Sequence, residues 1–178
     1  NEEFSYMQQP VRLQANVSHC HDQTIKVVNV TGNGEAVVVP AQMDERGHVW
    51  ISTTIAPGAQ QQYSVSCGAM NVQPKTAGPS VVKKQDMYVL TNSEISLSVP
   101  AVASGNKPPP PFQGIAFGSV GRLLGSSSWN TSLALESFSA SVEANGPVFA
   151  RVRLLYKFKQ PKGFFNISFT LGPADKYA

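Results

Sequence analysis

The residues with chemistry to offer fall into three groups. His19-Cys20-His21-Asp22 brings imidazole, thiol and carboxylate together, the donor types that transition metals take. Three adjacent residues rarely converge on one ion, and no motif places His48, the remaining histidine, beside them. With Cys67 as the second of two cysteines, the simpler expectation is a Cys20–Cys67 disulfide, which fits an oxidising compartment. No metal and no cofactor are expected.

The acidic residues Asp44, Asp86, Glu94, Glu136 and Glu143 could supply a pair of carboxylates of the kind that glycoside hydrolysis uses, but nothing in their spacing selects a pair. Gly118-Ser119-Val120-Gly121 departs from the Gly-x-Ser-x-Gly elbow of a serine hydrolase. Phosphate-loop, His-Glu-x-x-His and calcium-loop patterns are absent from the sequence. An enzyme is therefore not expected.

The third group is suited to binding. Asn16, Asn29, Asn130 and Asn166 each begin an Asn-x-Ser/Thr sequon and are candidate N-glycosylation sites. Trp50 lies within a strand pattern and is expected in the core. Trp129, beside three serines and a sequon, is the better candidate for an exposed platform that contacts a glycan.

These residues need a scaffold, and the pattern for one is strongest from Leu133 to Leu171. Ala134, Phe138, Ala140, Val142 and Ala144 alternate with polar residues; so do Val148, Ala150, Val152, Leu154, Tyr156 and Phe158, and then Phe165, Ile167, Phe169 and Leu171. A loop at Asn145-Gly146-Pro147, with Gly146 at positive φ, would pair Val142 with Ala150 and Phe138 with Leu154. A loop at Gln160-Pro161-Lys162-Gly163 would pair Phe158 with Phe165 and Leu154 with Phe169. Both turns then put one apolar face inward.

Upstream, strand patterns at Val11–Val17, Ile25–Val30, Ala36–Val39, Val49–Ile55, Tyr63–Cys67, Met87–Leu90 and Ile95–Val99 are separated by Gly, Pro and Asn turns. The stretches 68–85 and 114–125 read as irregular, and 104–111 as an extended polyproline spacer. With about ten short strands and no amphipathic helix, the expected fold class is all-β: an antiparallel β-sandwich or jelly roll, in one domain over residues 10–178, preceded by an extended arm at 1–9. Phe4, Tyr6 and Met7 are the arm's pocket-filling residues.

At 178 residues the chain is long enough to bury a core, and a net charge of +3 is too weak to suggest nucleic acid as a partner. No run reaches the ~18 apolar residues of a membrane helix. A start at Asn1 rather than Met is what a processed, secreted chain would show.

Val39-Pro40-Ala41-Gln42, Gly47-His48-Val49-Trp50, Ile55-Ala56-Pro57-Gly58, Leu90-Thr91-Asn92-Ser93-Glu94-Ile95 and Glu143-Ala144-Asn145-Gly146-Pro147-Val148 are phrases whose wording resembles the β-sandwich regions of secreted exo-rhamnogalacturonan-lyase-like proteins. They are also similar, more distantly, to the sandwiches of class II α-mannosidases. The resemblance covers roughly residues 36–171 and implies a sandwich, an extracellular setting and contact with carbohydrate. It carries over no catalytic residue.

The expected role is a structural subunit of a secreted, N-glycosylated fibre, a homo-oligomer or polymer that assembles through sheet edges and the arm. The alternative is a non-catalytic, carbohydrate-binding accessory domain of a larger polysaccharide-degrading enzyme.

Overall fold

A computed structural model describes residues 9–15, 17, 20, 25–30, 36–56, 58–68, 78–118, 123–160 and 162–173. Among them the fold is all-β, with fourteen strands in four antiparallel sheets. In the N-terminal half, β1 (Gln9–Leu13), β5 (Val49–Thr53) and β4 (Ala41–Met43) form one sheet; β3 (Val37–Val39), β2 (Ile25–Asn29) and β6 (Tyr63–Cys67) form a second. Their inward residues, among them Val27, Val49 and Ile51, share a core closed by the Cys20–Cys67 disulfide, with Cys20 fully buried.

The C-terminal half repeats this layering on a larger scale. A five-stranded sheet, β11 (Leu123–Leu124), β10 (Gly114–Phe117), β9 (Ile95–Pro100), β8 (Met87–Thr91) and β7 (Ser80–Lys84), packs against β12 (Leu135–Asn145), β13 (Ala150–Phe158) and β14 (Gly163–Leu171). Ala150, Val152, Leu154, Tyr156 and Phe158 of β13 are all buried against Val81, Leu90, Ile95, Leu97 and Val99. A third, smaller cluster of Ala144, Val148 and Phe149, with Trp50 against it, joins the halves.

The strands β4, β7, β10 and β11 were not legible in the sequence pattern. β4 follows directly on Pro40, and β7 lies in the stretch expected to be irregular. There Val81 and Val82 pair with Leu90 and Val89, and the hairpin closes through Gln85, which is held at a φ of 52°. β10 and β11 occupy the Gly-rich stretch.

Both expected turns of the meander are corrected by two residues. Val142 pairs with Val152 and Phe138 with Tyr156; Tyr156 pairs with Phe165 and Leu154 with Ile167. A two-residue slip preserves strand parity, so the β13 set from Ala150 to Phe158 stays buried while every partner changes, and Val142 and Phe165 on the flanking strands are exposed. The cause of the first slip lies in the other half of the molecule. Gln42 Oε1 accepts hydrogen bonds from the N–H groups of Val148 (3.2 Å) and Phe149 (3.1 Å), which takes both residues out of β13. In the second turn, Lys159 N–H donates to Ala134 O at 3.0 Å, and the loop becomes 159–162.

Gly146 is not at positive φ, contrary to expectation. It is required for space: a Cβ there would lie 2.7 Å from Gln42 Cδ and Oε1. Ala134 falls outside β12, and Leu135 is buried in its place, because a bulge at Glu136 resets the register.

Gly78 is tighter still, with a Cβ placed 2.5 Å from Pro147 Cα. We expect Gly78→Ala to cost roughly 1–3 kcal/mol or more in chemical denaturation, since backbone must move. Gly146→Ala should cost less, because a flexible Gln42 can yield. Equal or reversed losses would contradict this packing.

Candidate functional site

An edge strand leaves one row of backbone N–H and C=O groups unpaired, and natural sheets usually blunt such rows. Most of the edges here are blunted. β12 carries two bulges, at Glu136 and Glu143, which break its ladder and place a carboxylate at each break. The β7 edge is met by Asn145, whose carboxamide accepts from Val81 N at 2.8 Å and donates to Val81 O at 3.1 Å. β1 contains Pro10 and Arg12, while β3, β4 and β11 are no more than three residues long.

β14 has none of these devices. It runs nine residues in unbroken register with β13, and among the described residues no strand lies on its other side. Phe164 to Leu171 contains no charged residue, no proline and no glycine. Phe164 and Phe165 are 71% and 54% exposed. Such an unbroken, uncharged segment rich in β-formers is what recruits a further strand.

The face of the meander that points away from the core is polar. Arg153 Nε donates to Asn166 Oδ1 at 2.8 Å, and Arg151 Nε donates to Thr170 Oγ1 at 2.9 Å. Asn166 is exposed on that face, with its amide nitrogen unengaged. Asn130 is exposed in a loop, whereas Asn29 is half-buried in the central strand β2. Asn16, the arm residues Phe4, Tyr6 and Met7, and His19, His21 and Asp22 lie outside the described residues. Among the described residues, no group of three metal-ligating side chains forms, and no helix is long and apolar enough to cross a membrane.

Trp129 is half-buried rather than fully displayed. Its ring meets Tyr156, Phe158 and Phe165 edge-on at centroid distances of 5.1, 6.1 and 5.3 Å, and its N–H donates to Pro109 O at 2.8 Å. It also lines a cavity of about 570 Å³ with Ser127, Ser128 and Thr131. The polyproline stretch thus serves as a wall for this indole. Tyr156 beneath it is wholly buried, and its hydroxyl has no hydrogen-bond partner among the described residues. Burial pushes that phenol up to about 12, offset only in part by the nearby Trp129 N–H.

At the seam between the halves stands a network the sequence reading did not single out. Asp44 opens the β4–β5 turn; its Oδ1 accepts from the N–H groups of Arg46 and His48, and its Oδ2 accepts from His48 Nδ1 and Trp50 Nε1, both at 3.0 Å. The spacing held the signal: His48 and Trp50 are two apart, so they share one side of the strand, and a carboxylate at the turn's start can meet both. Burial pushes the Asp44 carboxyl up, but the bonds from Trp50, His48 and Arg46 outweigh it and hold the group down at about 2.

No family model, curated protein or solved structure matches the chain.

A carboxyl depressed in the fold contributes stability that is complete above its unfolded value of 3.8 and is lost as pH falls toward about 2. The wild-type melting temperature should therefore fall more steeply than that of Asp44→Asn between those limits, narrowing the gap between the two proteins. A constant gap across the range would show that the Asp44 network does not discriminate between the charged and neutral carboxyl.

Proposed function

We propose that this chain is a non-enzymatic structural subunit of a secreted, N-glycosylated extracellular fibre, assembled by strand addition to the β14 edge. The observation that carries the reading is that edge: nine residues long, unbulged, uncharged and rimmed by two exposed phenylalanines, whereas β12, the other long edge of the same sheet, is broken by two bulges. The donor in this reading is the arm of a second copy. Residues 1–8 fully extended would span about 26 Å, close to the roughly 30 Å of β14. Phe4, Tyr6 and Met7 would lie against Phe165 and its neighbours. The Cys20–Cys67 disulfide supports an extracellular setting. Glycans on Asn130 and Asn166 would stand on a loop and on a sheet face, leaving the backbone rim of β14 open.

Lys157 lies opposite Phe164 and Arg151 opposite Thr170. The double variant Phe164→Glu/Thr170→Glu, which leaves the Asn166 sequon intact, would gain cross-strand ion pairs of roughly 0.2–1 kcal/mol each while charging the edge. We expect native material to show filaments by negative-stain electron microscopy, and the double variant to remain folded but dispersed. Filaments formed equally by the variant would contradict assembly through β14.

A carbohydrate-binding accessory role is favoured by one observation, the hydroxyl-lined cavity beside Trp129. In that reading, neutral oligosaccharides would shift tryptophan fluorescence equally in the wild type and in Trp50→Phe. An unresponsive wild type would dismiss it.

A further inference from the structure

Between the β4–β5 turn and the outer face of β13, a cleft of about 300 Å³ collects four arginines, Arg12, Arg46, Arg151 and Arg153. Like charges repel, so such a gathering demands compensation. The carboxylates that face the cleft, Asp44, Glu45 and Glu143, are three against four guanidinium groups. Asp44 has its hydrogen-bonding capacity taken by Trp50, His48 and two backbone N–H groups. Glu143 approaches Arg153 Nη1 at 3.5 Å, and Glu45 is exposed and makes no ion pair among the described residues. Arg151 spends its Nε on the neutral Thr170 hydroxyl and stands 5.0 Å over the Phe149 ring. Arg12 and Arg46 are exposed, with no carboxylate partner among the described residues. Three of the four guanidinium groups are therefore without a carboxylate partner among the described residues and have donors for a guest.

The walls add a second requirement. Trp50 and Phe149 line the same cleft, set edge to face with centroids 5.5 Å apart. Phe149 is buried behind Arg151, so the half-buried Trp50 indole is the flat apolar surface of the cleft, and such a surface beside forked cations suits a compact ring that bears an oxyanion. The volume sits at the lower end of small-molecule pockets and suits one such ring.

We propose that this cleft is a binding site for a small organic oxyanion, a carboxylate or sulfate carried on a ring the size of one sugar. The guanidinium groups of Arg12, Arg46 and Arg151 clamp the anion, and the Trp50 indole seats the ring. A planar carboxylate takes two parallel N–H bonds from one fork, while a tetrahedral sulfate is shared among several. The Asp44 network positions the site by fixing the turn that carries Arg46. Because the cleft opens where the halves meet, its guest would touch both.

Calorimetric titration of the full chain at low ionic strength tests this with glucuronate as the carboxylate probe, glucose 6-sulfate as the sulfate probe and glucose as the neutral control. We expect at least one anion to bind and glucose not to. Binding of glucuronate alone identifies a planar carboxylate site, of the sulfate alone a tetrahedral site, and of both a general oxyanion site. Arg12→Gln/Arg46→Gln, two exposed changes that spare the core, should weaken binding by roughly tenfold or more. Absence of heat from both anions up to about 10 mM, equal binding of glucose, or full affinity in the double variant would overturn the proposal.

Discussion

The burial of one face of β13 is the constraint on which the C-terminal half depends. Five side chains at alternate positions, Ala150 to Phe158, are enclosed between two sheets, and both neighbouring strands pair along them. Burying each large apolar side chain is worth roughly 1.5–3 kcal/mol. With β13 fixed at the centre, β12 and β14 become edges. The two edges then differ only in what their sequences do about exposure: β12 breaks its ladder twice, and β14 runs straight.

The same constraint explains which features were legible in the sequence. Inward parity survived along β13 from Ala150 to Phe158, because period-two alternation is set by burial and a two-residue slip does not disturb it, whereas on the edge strands Val142 and Phe165 are left exposed. Pairing was not legible, because it was decided by a residue about a hundred positions away. Gln42 claims the N–H groups of Val148 and Phe149, and β13 begins two residues later than its own pattern suggests. The missed strand β7 has a comparable cause: its edge is completed by the Asn145 side chain, a contact with no local signature.

The functional features divide along similar lines. The disulfide was accessible to simple counting, since two cysteines leave one pairing within the chain. Trp129 was placed in a polar loop by its neighbours, yet three aromatic rings from β13 and β14 draw it inward, and only the folded meander brings them together. The Asp44–His48–Trp50 network could have been found from its spacing. The four arginines of the cleft could not, because they come from β1, a turn and β13, and only the packing of the two halves brings them together.

The claim that β14 is an assembly edge makes the state of its backbone decisive. Amide hydrogen exchange, resolved by residue over Gly163–Leu171, reports on that rim directly. In assembled material the β14 amides that point away from β13 should exchange far more slowly than in the dispersed subunit, while β12 amides change little. If the β14 amides exchange alike in both states, the strand has no partner in the assembly and the account is wrong.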